Sequence, residues 1–317
     1  MEKISIVIPV YNEEDNIVLA YNAVQKVMSS LAEQYTYEII FTDNHSSDSS
    51  FETLQKIAEK DKRVKVARLS ANFGYQKSVY TAYLLTSGDA VIQLDCDLQD
   101  PPEMIVKFLD KWKEGFFVVY GVRMRRKEMW LINYSRKLFY RLIDFLSETK
   151  LPYDAGDFRL VDKRIIDELR KLYDYAPYIR GTIASIGFKQ IGIPYDRLER
   201  KSGKSKFRFK DLISLGMDGV LNHSIKLLRF ATYTGAIVFM VSIFLMIVYM
   251  LAKLLSPEPW PAGFATITIL ILLSLSLNSL FLGIIGEYIG RIYHQSKMRP
   301  ISIIEKKLNF DEESQNT

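Results

Sequence analysis

Two carboxylates and an amide stand close together at the end of one apolar run. Asp95 directly follows the mainly apolar run 90–94, and Asp97 and Gln99 come two and four residues later. A buried strand that ends here would deliver them to the mouth of an open α/β sheet, where ligands of such sheets bind. Adjacent carboxylates repel each other unless they share a cation, and hard oxygen ligands favour Mg²⁺ or Mn²⁺. An acidic helix N-terminus, the alternative, fits Asp100 but neither Asp95 nor Asp97. Since such a cation typically holds a diphosphate, we expect a nucleotide-dependent transferase.

Strand and helix patterns alternate over residues 1 to about 125. This alternation indicates an α/β fold with a doubly wound, mostly parallel sheet. The patterns predict strands over 4–10, 37–41, 64–69, 89–94 and 116–120, and helices over 14–31, 48–60, 75–86 and 102–113.

Two charge-free stretches follow, over 230–252 and 259–286. Each is longer than the roughly 20 residues that a helix needs to cross a bilayer. They predict a hairpin of two transmembrane helices, over about 230–252 and 262–288. A buried helical hairpin in a soluble protein is the alternative.

Basic residues flank the two stretches asymmetrically. Six basic residues lie between 204 and 229, and three lie between 291 and 299. The connecting loop 253–258 contains one basic residue, Lys253. By the positive-inside rule, we expect both termini and the catalytic domain to face the cytoplasm. The chain would then be an integral protein of the cytoplasmic membrane. The expected organisation is a catalytic domain over 1–228, the two spans within 229–292 and a cytoplasmic C-terminal tail over 293–317.

The composition narrows the classes of partner. The formal net charge of +5 fits contact with anionic lipid and phosphates, and no zinc-finger or RNP-type motif points to a nucleic acid. The single cysteine, Cys96, excludes an internal disulfide framework.

Residues 129–146 form an amphipathic pattern. On a helix, their leucine and phenylalanine side chains share one side, and Arg136, Lys137 and Arg141 lie on the other. This pattern is typical of a helix in the membrane interface, and a core-facing amphipathic helix is the alternative.

Several polar motifs occur in a fixed order, three of them at the carboxyl ends of predicted strands. Together they resemble the inverting family 2 glycosyltransferases with the GT-A fold. The full set resembles the polyprenyl-phosphate glycosyltransferases, which comprise dolichyl-phosphate mannose synthases and bacterial undecaprenyl-phosphate glucosyltransferases. The motifs cover residues 7–13, 43–48, 72–74, 95–103, 156–160, 203–206 and 286–293.

The resemblance implies a nucleotide-sugar pocket and a Mg²⁺ or Mn²⁺ site. The metal ligands would be Asp95 and Asp97, with Gln99 as a further ligand. The pocket for the nucleotide-sugar would be formed by Pro9, Tyr11, Glu13, Asp43, Asn44 and Asp95.

One position departs from the family pattern. Asp43-Asn44-His45-Ser46 replaces the usual Asp-Asp-Gly-Ser, in which the second Asp commonly accepts a proton from the base. The carbonyl oxygen of Asn44 can still accept, but its amide group can also donate. The base therefore stays open, with UDP favoured over GDP.

A lipid monophosphate acceptor requires positive charge around it. Its second pKa near 6 makes it an oxyanion at neutral pH, so the site needs cationic groups more than a strong base. For any one basic residue, a solvated surface position is the alternative. The expected clamp consists of Arg123, Arg136, Arg200, Lys204 and Lys206.

Asp157 is the further carboxylate to which we assign a catalytic role, together with Asp97. It lies between Gly156 and Phe158, and the resemblance places it beside acceptor and sugar. It would orient the acceptor, or act as the base if the phosphate binds as a monoanion. Arg159 is a candidate ion-pair partner, and a helix or turn cap is the alternative role.

We therefore expect transfer of one sugar, UDP-hexose favoured, to a membrane polyprenyl phosphate with inversion. A GDP-mannose-dependent mannose synthase and a catalytically silent scaffold for lipid-linked sugars are the alternatives. A processive synthase is disfavoured because its Gln-x-x-Arg-Trp motif and additional spans are absent. Expected partners are further copies of the chain, a flippase and a second glycosyltransferase.

Overall fold

The structure is a computed structural model that describes residues 1–124, 155–172, 174, 177–198 and 263–310, with scattered positions between 228 and 251. Three sequence predictions lie outside these residues. The first is the amphipathic helix over 129–146, which contains Arg136. The second is the motif at 203–206, which contains Lys204 and Lys206, and the third is Arg200.

Four parallel strands form the centre of the sheet, in the order β4-β1-β2-β3. Nearly all residues of β1 and β2 are buried, because helices cover both faces of the sheet. The predicted α/β fold is confirmed for this part, and every strand predicted before residue 95 is present. The strands are β1 (Glu2–Val10), β2 (Tyr35–Asp43), β3 (Val64–Leu69) and β4 (Ala90–Gln93).

Apolar side chains on the two faces of these strands enter two separate cores. Ile6 and Ile8 of β1 pack in one core with Ile17 and Leu54, whereas Val7 between them joins Tyr80 in the other. This alternation follows from the two-residue period of a strand. The helices are α1 (Glu14–Ser29), α2 (Ser50–Lys60), α3 (Tyr75–Leu84) and α4 (Met104–Lys113).

The second half of the sheet contains an antiparallel strand that the sequence patterns did not indicate. This strand, β6 (Ala155–Asp162), lies between β4 and β5 (Val118–Arg123), and β7 (Gln190–Tyr195) pairs with β5. Because β6 runs antiparallel to β4, with Gln93 opposite Arg159, the start of β6 lies at the carboxyl end of β4. Helices α5 (Lys163–Lys171) and α6 (Ile179–Ile186) follow.

The C-terminal part returns to the sheet. Helix α7 (Phe264–Ser296) has 33 residues and continues past the predicted end at 288. Strand β8 (Ile304–Leu308) then pairs antiparallel with β3 and forms an edge of the eight-stranded sheet. The segment expected to be a tail thus contributes a strand.

Exposed apolar side chains cover α7. Among the described residues, one helical segment, Leu273–Ser296, is long and apolar enough to cross a membrane. The positions described between 232 and 251 are helical, and their large apolar side chains are exposed. A Cβ placed on Gly235 would lie 3.8 Å from Cε2 of Phe281, so this glycine lies close to α7.

Candidate active site

The loops that follow β1 and β2 are joined by hydrogen bonds. Asn12 N–H donates to Ser46 Oγ (2.9 Å), and Glu13 N–H donates to Ser50 Oγ (2.9 Å). The Glu13 carboxylate accepts from the side chain of Asn16 at 2.6 Å. Of the other predicted pocket residues, Pro9 is buried within β1 and Tyr11 is exposed.

Asp43 ends β2 with a fully buried carboxylate. Its Oδ1 accepts from Ser46 N–H at 3.0 Å. Its Oδ2 has no hydrogen-bond partner among the described residues, although Arg68 Nε lies 3.7 Å away. A buried acceptor without a partner carries a desolvation cost that a bound ligand can remove.

Asn44 holds the loop that precedes α3. Its amide Nδ2 donates to Asn72 Oδ1 (2.8 Å), and its Oδ1 accepts from Phe73 N–H (3.0 Å). Asn72 Oδ1 also accepts from Gly74 N–H (3.0 Å), and Gly74 has φ of 90°. The structure therefore uses both the donor and the acceptor of Asn44 within the protein.

Asp95 is anchored by a chain of buried polar groups. Tyr75 O–H donates to Asp95 Oδ1 (2.6 Å), Gln93 Nε2 donates to Tyr75 Oη (3.0 Å), and Tyr83 O–H donates to Gln93 Oε1 (2.8 Å). Burial, followed by the negative charges of Asp100 and Asp157, raises the pKa of Asp95 to about 7. The hydrogen bond from Tyr75 acts in the opposite direction.

The carboxylates here fit a divalent cation that takes its other ligands from substrate. Asp97 is half-buried, and its Oδ1 accepts from Gln99 N–H at 3.2 Å. In the described part of the chain, no three His, Cys, Asp or Glu side chains are grouped to hold a metal alone. Mg²⁺ is usually held by one or two carboxylates together with substrate phosphates and water. A cation would also compensate the like charges around Asp95, so Asp95 and Asp97 fit this kind of site.

Asp157 lies beside this cluster at the start of β6. Arg180 of α6 binds both of its oxygens, with Nε donating to Oδ1 (2.7 Å) and Nη2 donating to Oδ2 (2.5 Å). Burial alone would raise the pKa of Asp157, but the Arg180 guanidinium holds it below its usual range. The expected partner, Arg159, instead donates from Nη2 to the carbonyl of Gly156 (2.9 Å). The positive charge of Arg159 still helps to lower the pKa of Asp157.

Arg123 lies beside Asp100, and its positive charge also helps to lower the pKa of Asp157. Its Nη2 is 3.4 Å from Asp100 Oδ2, and its Nε donates to Tyr195 Oη at 3.2 Å. Tyr195 O–H in turn donates to Asp100. A Cβ on Gly156 would lie 3.2 Å from Nη2 of Arg123, so a glycine here leaves room for the guanidinium. A second guanidinium, that of Arg197, is 3.5 Å from Asp100.

The site thus combines a buried acceptor at Asp43, carboxylates at the end of β4 and guanidinium groups around Asp157 and Asp100. The family model for "Glycosyl transferase family 2" matches residues 5–170, which include all of these carboxylates. The chain belongs to glycosyl transferase family 2. The predicted family is therefore confirmed.

Relatives of this family 2 glycosyltransferase match almost all of its length. The "Uncharacterized glycosyltransferase YkcC" of Bacillus subtilis is 38% identical over 97% of this chain and 94% of that protein. The "Bactoprenol glucosyl transferase" of Shigella phage SfV is 32% identical over 96% of this chain and 99% of that protein. Among solved structures, mannosyl-3-phosphoglycerate synthase from Rubrobacter xylanophilus covers 74% of this chain and 75% of its own, with 16% identity and a TM-score of 0.46.

The sequence patterns did not identify Tyr75, Arg180 or Arg197 as residues of this glycosyltransferase site. Tyr75 follows the Asn72-Phe73-Gly74 motif directly, and that adjacency was an available signal. Arg180 and Arg197 carry no local signal, because helix α6 and the end of β7 bring them to the site from distant parts of the chain.

Proposed function

We propose that the chain transfers one sugar from a nucleotide-sugar, a UDP-hexose, to a membrane polyprenyl phosphate with inversion at the anomeric carbon. The observation that carries this proposal is the near-full-length similarity to the bactoprenol glucosyl transferase of phage SfV. That similarity covers 96% of the chain, so it spans the carboxylate site and extends into the apolar C-terminal region.

The donor pocket lies between the β1 and β2 loops. Asp43 Oδ2 is the acceptor for a ring N–H of the base, because it is buried and has no hydrogen-bond partner among the described residues. Asn44 supports the pocket wall, since its amide and carbonyl already bind the loop at 72–74. Pro9, Tyr11 and Glu13 complete the base and ribose side.

Asp95 and Asp97 would hold Mg²⁺ or Mn²⁺, with Gln99 as a further ligand. When bound, the cation supplies positive charge that stabilises the leaving diphosphate. Tyr75 fixes the Asp95 carboxylate through its 2.6 Å hydrogen bond, so the carboxylate geometry is set before substrate binds.

Asp157 has an orienting role and does not act as the base that removes a proton. Both of its oxygens accept from Arg180, and its pKa is held low, so it is a weak base. The lipid phosphate needs little base assistance, because it is an oxyanion near neutral pH. The Asp157 carboxylate instead fixes the Arg180 guanidinium, and this guanidinium and that of Arg123 provide positive charge near the carboxylates. These cations, with Arg136, Arg200, Lys204 and Lys206, form the phosphate clamp.

The reaction is then a single displacement. A phosphate oxygen of the lipid forms a bond to the anomeric carbon while the bond from that carbon to the nucleoside diphosphate breaks. The attacking and leaving oxygens lie on opposite faces of the sugar, so the configuration inverts. The site lowers the barrier mainly by fixed charge and positioning.

The apolar helices keep the enzyme beside a lipid substrate. Helix α7 is about 50 Å long at 1.5 Å per residue, which exceeds the roughly 30 Å of a bilayer core. Within it Glu287 pairs with Arg291 at 3.2 Å, a contact one turn along the same helix. We place α7 and the helical positions between 232 and 251 in the cytoplasmic membrane as the predicted hairpin, with both termini in the cytoplasm.

A transfer assay on detergent-purified protein tests the proposal. The mixture contains Mn²⁺ or Mg²⁺, polyprenyl phosphate and one labelled UDP- or GDP-sugar at a time, and label is counted in the organic-extractable lipid. D97N is the control, because it keeps the side-chain volume but removes one charge from the metal site. We expect lipid-linked label from one UDP-hexose and its loss in D97N.

Other outcomes would replace the proposal. Labelled lipid from GDP-mannose alone would assign a mannose synthase. Donor hydrolysis or a water-soluble polymer without labelled lipid would exclude a lipid acceptor. Nucleotide binding without turnover for every donor would favour the scaffold.

A further inference from the structure

Strand β8 joins the sheet on the donor side, shortly after the end of helix α7. Seven residues, 297–303, connect the end of α7 to β8, which pairs with β3. Ser70 N–H donates to the carbonyl of Ile303 at 2.9 Å and continues this contact beyond the strand. The other edge of β3 pairs with β2, which ends at Asp43.

Glu305 of β8 contacts a cation beside the donor pocket. Its Oε2 is 3.3 Å from Arg68 Nε, and the same Nε is 3.7 Å from Asp43 Oδ2. The Arg68 guanidinium also lies over the ring of Phe51, 4.4 Å from its centroid. Glu305 Oε2 is 3.8 Å from Nδ1 of His45, which belongs to the loop after β2.

Arg68 is therefore shared between two carboxylates. Arg68 Nε and Asp43 Oδ2 are both buried, and neither has a hydrogen-bond partner among the described residues. An unopposed guanidinium at this distance would close onto Asp43, because a hydrogen-bonded pair between them would satisfy both atoms. The carboxylate of Glu305 attracts Arg68 from the other side, and Phe51 limits where its guanidinium plane can lie.

We propose that Glu305 is a positioning residue for the nucleotide: it holds Arg68 off Asp43 and so keeps Asp43 Oδ2 available to the base. This inference rests on the proposed function, in which Asp43 receives the base. Strand β8, which follows α7, thereby supports the donor pocket, although Glu305 itself does not touch the substrate. Loss of the Glu305 charge releases Arg68 onto Asp43, so the nucleotide must then compete with an internal ion pair.

The test is a double-mutant cycle on the full chain, with nucleotide affinity as the readout. Calorimetry measures UDP and GDP binding, in the presence of Mn²⁺, to the wild type, E305Q, R68Q and E305Q/R68Q. Because Glu305 is half-exposed, the expected loss of affinity in E305Q is about three- to five-fold, in line with measured exposed ion pairs. In the R68Q background, E305Q should change nothing. E33Q is the matched control, since it removes the same charge from an exposed glutamate in the turn after α1.

A second readout separates positioning from folding. In the transfer assay, E305Q should raise KM for the nucleotide-sugar and leave KM for polyprenyl phosphate and the melting temperature unchanged. Equal loss for both substrates together with a lower melting temperature would overturn the inference, because it would show a purely structural role. Unchanged nucleotide affinity in E305Q would also overturn it and leave the proposed function intact. A wild-type chain that binds no nucleotide would overturn both.

Discussion

Arg180 and Asp157 form a two-point ion pair in which both carboxylate oxygens accept from one guanidinium, at 2.7 and 2.5 Å. The pair joins the start of β6 to α6, and both side chains are largely shielded from solvent. Such a pair can keep the carboxylate charged in a site where burial and neighbouring carboxylates favour its protonation.

Removal of the guanidinium should therefore impair both folding and activity. R180M leaves the Asp157 charge without its partner, which for a buried pair costs about 3–5 kcal/mol of unfolding free energy. We expect kcat/KM to fall at least about 100-fold, the scale of one lost charge-stabilising contact in an active site. R180K should recover only part of this, because an ammonium group cannot bind both oxygens in the planar fork. Denaturant unfolding and the transfer assay measure the two effects.

The same pair predicts a change in pH dependence. Arg180 lowers the pKa of Asp157 in the folded protein, so the pair contributes stability above the ordinary aspartate pKa of about 3.9, and this contribution is lost as pH falls through the lowered value. In R180M, burial is no longer opposed by this partner, and the pKa of Asp157 should rise. The difference in unfolding free energy between the wild type and R180M should then shrink as pH falls through this range, which denaturant unfolding at several pH values measures. A difference that stays constant with pH would contradict the role given to this pair.

How much of the site the sequence could predict depends on how local each signal is. Asp95 and Asp97 were placed correctly at the end of β4, because an apolar strand followed by carboxylates is contained in about ten residues. Arg180 lies 23 positions after Asp157, and nothing near it in sequence marks it as a partner. Strand β8 was missed because its five residues, three of them charged, resemble a solvated tail until β3 is available to pair with them.

Tyr75→Phe tests the anchoring of the metal site. The variant removes the O–H that donates to Asp95 Oδ1 and leaves Gln93 Nε2 without its acceptor. Loss of a group that orients a metal ligand typically weakens metal affinity by about 10–100-fold, so the Mn²⁺ concentration for half-maximal activity should rise by about ten-fold or more. Y83F is the control, because Tyr83 is three hydrogen bonds away from Asp95 in the same chain of groups. A Mn²⁺ dependence that changes equally in both variants would contradict direct anchoring by Tyr75.

The buried residue Glu38 lies away from the site, and we expect it to make the stability of the fold sensitive to acid. Burial opposes its ionisation, but donors from Ser5, Ser87, Lys3 and Lys65 lower the pKa of Glu38 to about 2. Because the folded pKa lies below the unfolded value, this stability is present above about pH 4.3 and is lost as pH falls toward 2. A shift from the model-peptide range to about 2 corresponds to about 3 kcal/mol. The denaturant midpoint of the wild type should fall across this window, whereas that of E38Q should be lower at pH 7 and less dependent on pH.

Asn44→Asp restores the residue that the family usually has and should nevertheless weaken donor binding. An aspartate cannot donate to Asn72 Oδ1, and its second oxygen would face that acceptor at 2.8 Å. If the Asn72 amide rotates to donate, the bond from Gly74 N–H to Asn72 Oδ1 is lost instead. Either rearrangement costs about 1–3 kcal/mol, the range for a buried group left without its partner. We expect KM for the nucleotide-sugar to rise about ten-fold with little change in KM for the lipid. An N44D enzyme with wild-type donor KM would show that the loop at 72–74 does not support the pocket, since the bonds that hold it would have been broken without effect.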